Sequence, residues 1–285
     1  MKKCFLLFAI ISTISMSAQD DLLNELETNT KNNSFELPAF KAMKIGNLQS
    51  TKVADKGDFY LIVSHRFGSL ENGLDTFFGL DNANTKIQFV WSWIDGVQFS
   101  VSRESLKKTY AGAVKLRLFR QSKKSPFNIV GYWTFNINSA LDKNVYPLLK
   151  FEDRLSYASQ LLISRRFSNK FSFEIAPTYV RENLQDIRNT KEYNPDQFVL
   201  GVGGRYKLSK RMSVNVDYTY NFMRHENSIY NNPLTIGLDI DTGGHVFQLL
   251  FSNAQSTNEP GYMSNAEGDW SNGDIFFGFN IVRVF

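Results

Sequence analysis

The sequence predicts an all-β fold, an antiparallel up-and-down transmembrane β-barrel of about 12 strands, the even count that single-chain bacterial barrels use. Three observations predict it. Runs of roughly ten residues alternate apolar and polar side chains, the period of a strand with one face on lipid and the other on a polar lumen. Short turns and longer polar joints follow one another along the chain. Beyond the N-terminus no segment approaches the ~18 to 20 apolar residues of a spanning helix, so any crossing must be made by strands.

Composition agrees. Aromatic residues make up 14% of the 285, with Phe alone contributing 25, yet mean hydropathy is only −0.28. Such a chain carries much apolar surface without being apolar overall. The net charge of +4 is modest, and Lys and Arg are dispersed rather than gathered on one run. Nucleic acid is therefore not an expected partner.

The chain opens like an export signal, residues 1–18. Lys2 and Lys3 form the charged start, Phe5 to Ile14 the apolar stretch, and Ser15, Ser17 and Ala18 a small-residue cleavage region. The apolar stretch is short for a bilayer span, and Asp20 and Asp21 follow at once. The single cysteine, Cys4, precedes that stretch and leaves with it, so the mature chain is expected to hold no thiol, disulfide or thiolate metal site. Residues 19–56 are polar with a weak pattern around Phe35 to Ile45, and they read as a poorly structured periplasmic leader. Residues 57–285 are assigned to the barrel.

Within the barrel the strands can be read off in order. In KIQFVWSWID, Ile87, Phe89, Trp91 and Trp93 share one face, with Gln88 and Ser92 on the other. FNIVGYWTFNIN sets Phe127, Ile129, Trp133, Phe135 and Ile137 against Asn128, Thr134, Asn136 and Asn138. RMSVNVDYTYNF sets Met212, Val214, Val216, Tyr218, Tyr220 and Phe222 against Ser213, Asn215, Asp217, Thr219 and Asn221. PLTIGLDIDTGGHVFQLLFSNA reads as a hairpin turning at residues 241–244, and the last strand carries Ile275, Phe277, Phe279, Ile281 and the terminal Phe285 on one face. Tight joints at 95–96, 168–170, 209–211 and 241–244 alternate with long ones at 68–84, 139–153, 182–196 and 253–272, and strict alternation is expected.

A soluble sandwich would alternate too. Aromatics at the ends of the apolar faces (Phe127, Trp93, Tyr206, Tyr220, Phe222) favour the interfacial girdles of a membrane barrel instead. The lipid-facing or girdle set is then Trp91, Trp93, Trp133, Tyr206, Tyr218, Tyr220, Phe277 and Phe279. Phe279, Ile281 and Phe285 form a C-terminal insertion signal, which makes the barrel-insertion machinery an expected partner. The lumen set is Arg66, Lys115, Arg117, Arg154, Arg166, Arg205 and Lys207 against Glu174, Asp217 and Asp239. Because a closed charge network should approach balance, this positive excess favours a pore over a plug. Arg at Trp91, Val216 or Phe279 should block insertion, whereas Arg at inward Asn215, Ser92 or Asn136 should leave folding nearly intact.

Catalytic and metal chemistry find little support. His65 and His245 are expected near strand ends on the inner side, His225 in a solvated loop, and no G-x-S-x-G turn is present. HENSIYNN at 225–232 and NLQDIRNTKEYNPD at 183–196 lack the spacing of a calcium loop or zinc pair. GVGG at 201–204 lies inside a strand, where glycine lets the strand bend or admits a bulky neighbour. No cofactor is implied.

Several stretches resemble an uncharacterised β-barrel family of Bacteroidetes-type bacterial envelopes, known only as a domain of unknown function. They are SHRFGSL at 64–70, FFGLD at 77–81, KTYAGAVKLRLFRQ at 108–121, GLDIDTGGHVFQLLFSNAQ at 237–255 and GDIFFGFNIVRVF at 273–285. The resemblance covers nearly everything after Phe40. It implies a barrel in the outer membrane and no reaction. The expected function is a narrow channel for small solutes with a mildly anion-favouring lumen. One alternative is a non-conducting barrel that docks envelope partners; another is a soluble lipocalin-like periplasmic barrel with its apolar residues turned inward.

Overall fold

The computed structural model describes residues 38–71, 73–183 and 194–285. The expected signal, the first half of the leader and most of the 182–196 joint lie outside the described residues. Twelve strands run β1 (Phe59–Ser69), β2 (Ala83–Ile94), β3 (Val97–Glu104), β4 (Thr109–Phe119), β5 (Asn128–Asn138), β6 (Leu155–Arg166), β7 (Phe171–Glu182), β8 (Asp196–Lys207), β9 (Met212–Asn221), β10 (Leu234–Asp241), β11 (His245–Ser252) and β12 (Phe276–Val284). Each pairs antiparallel with its neighbours, and β12 closes on β1 to complete the barrel.

Side-chain alternation dictates the two faces. Val216, Phe89 and Leu249 point outward and are exposed, while their chain neighbours Asn215, Gln88 and Gln248 are buried in the bore. A one-residue slip in any ladder would reverse this. The lipocalin-like alternative, which needs the apolar set inside, is thereby overturned.

The turns follow their chemistry. Gly96 and Gly243 take φ of 79° and 87° in the joints after β2 and β10, the left-handed region that tight hairpins demand. Alternation of short and long joints is not strict, however. The β3–β4 joint on the long-loop side spans only 105–108, and the β4–β5 joint on the short-turn side spans 120–127.

The larger departure concerns the leader. Residues 38–56 are not an unstructured segment outside the barrel; they fold into the bore as an irregular hairpin, here called the strap. Ser50 N–H donates to Met43 O (3.0 Å) and Ile45 N–H to Leu48 O (2.8 Å) across its tip. One limb pairs Lys41 with Asp241 at the inner, short-turn end of β10. The tip brings Asn47 to Thr235 and Ser252 at the outer ends of β10 and β11 (3.1 and 3.0 Å). The other limb returns to the inner mouth, where Gly57 N–H donates to Ser92 O (2.8 Å).

From the outer side the β11–β12 loop also turns inward, as an insert carrying the short helix α1 (Glu259–Ser264). Phe40, Ile45 and Leu48 of the strap and Tyr262 and Met263 of the insert join Val130, Leu162, Val180 and Val199 of the wall in one buried core. This explains why the sequence pattern missed the strap. Its apolar residues answer to an irregular backbone, so they show neither the 2.0 nor the 3.6 period.

Candidate functional site: the closed bore

An irregular segment at membrane depth must have its peptide groups satisfied by protein. The wall supplies side chains for this. Lys115 Nζ donates to the carbonyls of Ser50 (2.9 Å), Lys52 (3.1 Å) and Met43 (3.4 Å). Gln248 Nε2 donates to Ile45 O (2.9 Å) and Lys44 O (3.2 Å), and Asn280 Nδ2 to Gly46 O (3.3 Å). In the other direction Asp217 accepts from Asn47 N–H (3.1 Å), Glu174 from Thr51 N–H (2.9 Å) and Gln98 from Ala54 N–H (2.9 Å). Arg66 donates to the Asn47 side chain (2.8 Å).

Two glycines of the GVGG run complete the seat by admitting bulky neighbours. A Cβ on Gly201 would lie 2.7 Å from a Leu48 methyl, and one on Gly203 would lie 2.5 Å from an Ile45 methyl. The wall is shaped for these two side chains.

The insert is held differently. Glu104, fully inside on β3, accepts from Thr257 N–H (2.7 Å), the Thr257 hydroxyl (3.1 Å), Asn84 (2.6 Å) and Asn258. Asn258 also caps α1, its Oδ1 accepting from Gly261 N–H (2.8 Å). Strap and insert then meet. Gln49 donates to Glu259 (2.7 Å), and Lys44 donates to Thr257 O (2.7 Å) with its ammonium 3.9 Å from the Glu259 carboxylate.

Of the expected lumen residues, Arg66, Lys115, Arg205, Glu174, Asp217 and Asp239 point into the bore. Three others do not line it. Arg117 sits at the inner mouth with Asp95 (3.1 Å) and Asp55 (3.7 Å). Arg166 reaches the β6–β7 turn, donating to Ser168 O (3.2 Å) and Asn169 (3.1 Å). Arg154 precedes β6 on the outer rim and donates to Asn138 O (3.3 Å). At strand ends alternation sets direction but not depth. Lys207, at the inner end of β8, borders a small hollow beside Lys41 and Asp241.

Sequence reading passed over Lys44, Lys86, Glu104 and Glu259, all buried. Alternation already sets Lys86 on the face of Gln88 and Ser92, and it would have placed Glu104 inward had β3 been written out to the rim. The positive excess does not by itself separate a pore from a plug. Lys115 is satisfied largely by strap carbonyls, so a closed lumen need not balance cations against carboxylates.

The expected girdle residues face outward, Trp93 being 70% exposed and Trp133 46%. His65 is not on the inner side. It lies in the outer half of β1, on the lipid face, stacked on Phe279 (5.2 Å between centroids) and bonded to Thr85 Oγ1 (2.8 Å). His245 stacks on Phe247 (5.9 Å). At the C-terminus the Phe285 ring lies 6.0 Å from Phe59, beneath the Arg283 guanidinium at 4.5 Å. No cluster of metal-binding side chains occurs among the described residues.

Comparison with known proteins agrees with this architecture. The family model described as "Membrane bound beta barrel domain (DUF5777)" matches residues 40–285, so it takes in the strap as well as the strands. None of the curated proteins matches the chain. Among solved structures, the NanC porin superposes with a TM-score of 0.50 at 9% identity, covering 79% of this chain and 98% of that one. The KdgM porin gives 0.46 at 8% identity, covering 79% and 98%. The outer membrane phospholipase A of Escherichia coli gives 0.46 at 11%, covering 81% and 90%. At such identities the likeness is one of fold alone.

Proposed function

The chain belongs to this family of membrane-bound β-barrels, and on that footing we propose that it is an outer-membrane channel held shut by its own strap. One observation carries the reading. Both limbs of the strap leave by the inner mouth, and its tip is bound through side chains rather than through a strand ladder. It can therefore withdraw as a hairpin without threading the barrel or breaking any wall pairing. Behind it stand Ser64, Gln88, Gln98, Asn215, Thr219 and Gln248, a surface suited to water and small hydrophilic solutes. The outward aromatic and apolar residues supply the lipid face, and an exported barrel of this kind belongs in the outer membrane.

Selectivity follows from the buried wall charges. Arg66, Lys86, Lys115 and Arg205 stand against Glu104, Glu174, Glu182, Asp217, Asp239 and Asp241. With the strap withdrawn the wall carries more carboxylates than cations, and we therefore propose a mild cation preference in the open state rather than the anion preference suggested by the shorter set. The filled bore itself favours a second reading, a permanently closed barrel that serves as a docking platform.

Planar-bilayer recording separates the two. The full chain should show few or no conductance steps, and a variant lacking residues 38–54 should show discrete ones. If that variant, alone and combined with Glu104→Ala to loosen the insert that also enters the bore, inserts, keeps a heat-resistant folded band and is still silent over many insertions, the channel reading fails and the docking reading stands.

A further inference from the structure

We infer that the short turns at the inner ends of β4 through β9 form a basic arc that binds anionic phospholipids of the inner leaflet. Charge is unevenly placed along the barrel axis. Between Asp95 and Asp239 every carboxylate of the described residues lies within the bore or toward the outer end, whereas the joints 120–127, 167–170 and 208–211 carry Arg120, Lys123, Lys124, Lys170, Lys210 and Arg211 and no acid. The acids that border the arc stand at its two ends. Asp95 takes Arg117 and Arg120 (3.1 and 3.0 Å), and Asp239 and Asp241 share a hollow with Lys207, Lys210 and Arg211. In the middle of the arc Lys123, Lys124, Arg165 and Lys170 have no ion pair among the described residues.

The turns are stitched into one surface. Gln121 donates through Nε2 to Arg166 O (3.0 Å) and accepts from Arg166 N–H at Oε1 (2.8 Å), which ties the β4–β5 turn to the end of β6. Lys207 N–H donates to Lys170 O (2.8 Å), which ties the β6–β7 turn to the end of β8. The wall therefore sets the spacing of the cations.

Arg165 decides which anion fits. Strand alternation turns it to the lipid face, in line with Leu161 and Ile163 and opposite Phe173 in the ladder. Its guanidinium lies 5.1 Å from the centre of the Phe167 ring and 5.8 Å from that of Phe127, and both rings are exposed. A cation collared by lipid-facing aromatics belongs at the depth where acyl chains give way to headgroups. There its N–H groups can take a phosphate diester through charge-assisted hydrogen bonds, while Lys123, Lys124 and Lys170 add attraction for net negative charge. A soluble anion or an acidic protein would meet the lysines and gain nothing from Phe127, Phe167 and the exposed Phe171 packed beside it. Acyl chains cover all three, in continuity with the rest of the lipid face.

The test is native mass spectrometry of the full chain, released from detergent micelles holding equal amounts of dimyristoyl phosphatidylglycerol and dimyristoyl phosphatidylcholine. Phosphatidylglycerol should be retained in about fivefold excess or more. Arg165→Gln should lower that excess about threefold or more, as should the combined variant Lys123→Gln, Lys124→Gln and Lys170→Gln, whose exposed turn positions leave the heat-resistant band unchanged. Should Arg165→Gln fail to assemble, the combined variant decides alone. Removing three outer cations together, by Lys107→Asn, Lys143→Gln and Lys150→Gln, should leave the excess at its parental value. The proposal is overturned if the two lipids are retained equally, if a folded inner variant keeps the parental excess, or if the outer variant lowers it as far as the inner one. It is equally overturned if glycerophosphoglycerol without acyl chains binds as well as the lipid, or if hexaglutamate displaces the lipid. Lipid retention is read without conductance, so a silent strapless barrel would sink the channel reading and leave this one standing.

Discussion

The strap and the insert close the same bore by opposite means. The strap is gripped by its backbone, with Lys115, Gln248, Asn280, Asp217, Glu174 and Gln98 reaching its carbonyls and amides from around the wall. The insert makes its own helix and caps it with Asn258; Glu104 holds the start of that helix, while Glu182 accepts from Asn265 (2.9 and 3.0 Å) and Arg224 donates to the carbonyls of Ser264 (3.2 Å) and Met263 (3.1 Å) at its end. A backbone grip is distributed around the wall, and the side chains of Asn47, Ile45 and Leu48 add to it. At the start of the insert's helix the grip is concentrated on Glu104, so one substitution should loosen that end. The strap is also continuous with the wall only at β1, whereas the insert is tethered by strands at both ends.

Lys115→Met gives the largest expected effect. It leaves the carbonyls of Ser50 and Lys52 without the Lys115 donor and Glu174 without its neighbouring cation, a loss of about 3 to 5 kcal/mol for a buried ionic contact broken on one side. Urea unfolding in micelles should record it, together with faster proteolysis within residues 38–56. If the strap stays protected, the backbone grip is not what holds it.

Glu104→Ala comes next, at about 1.5 to 3 kcal/mol for lost charge-assisted hydrogen bonds. It should loosen the insert, read as faster amide exchange at residues 256–264, with the strap moving less. Equal exchange in both segments would mean that the contacts of Lys44 and Gln49 with Thr257 and Glu259 fuse the two into one unit.

The strap's seat offers a finer test. Gly201→Ala should cost about 1 to 3 kcal/mol by overpacking, because the new methyl would lie 2.7 Å from Leu48. Leu48→Ala in the same chain should recover part of that cost, so the double variant should be less destabilised than the sum of the single ones. Strict additivity would mean that the glycine serves strand bending and not the strap.

These contrasts show what was legible in the sequence. Alternation gave the strands, the outward face of Trp91, Val216 and Phe279, and the hairpin at residues 241–244, because a period of two survives in any strand with unlike faces. The GVGG run at 201–204 was legible as a strand bend or as room for a bulky neighbour, and the structure gives the second role to Gly201 and Gly203. The strap left no period to find, since residues 38–56 answer to scattered wall side chains. The insert hid inside a polar joint whose Thr257, Asn258 and Glu259 read as solvent-facing, although all three are buried. The filled bore changes one expectation in turn. Asn215 is 2% exposed beside the strap's seat, so Asn215→Arg should disturb closure, not pass nearly unnoticed.

The smallest equilibrium effect belongs to the far end of the chain. Phe285 is 60% exposed and touches the barrel through Phe59 and Arg283. Its removal should therefore cost less than about 1 kcal/mol, the scale of a surface aromatic contact. We propose that its role is played before folding, as the terminus by which the insertion machinery takes hold. Phe285→Ala should then slow appearance of the heat-resistant band during assembly in cells, while protein refolded from urea into micelles reaches parental stability. Lys115→Met should do the reverse, assembling at the parental rate into a barrel that unfolds more easily. If Phe285→Ala assembles at the parental rate, the terminal residue is simply another lipid-facing aromatic. If it unfolds as easily as Lys115→Met, the barrel seam at β1 and β12 draws more stability from that ring than its exposure implies.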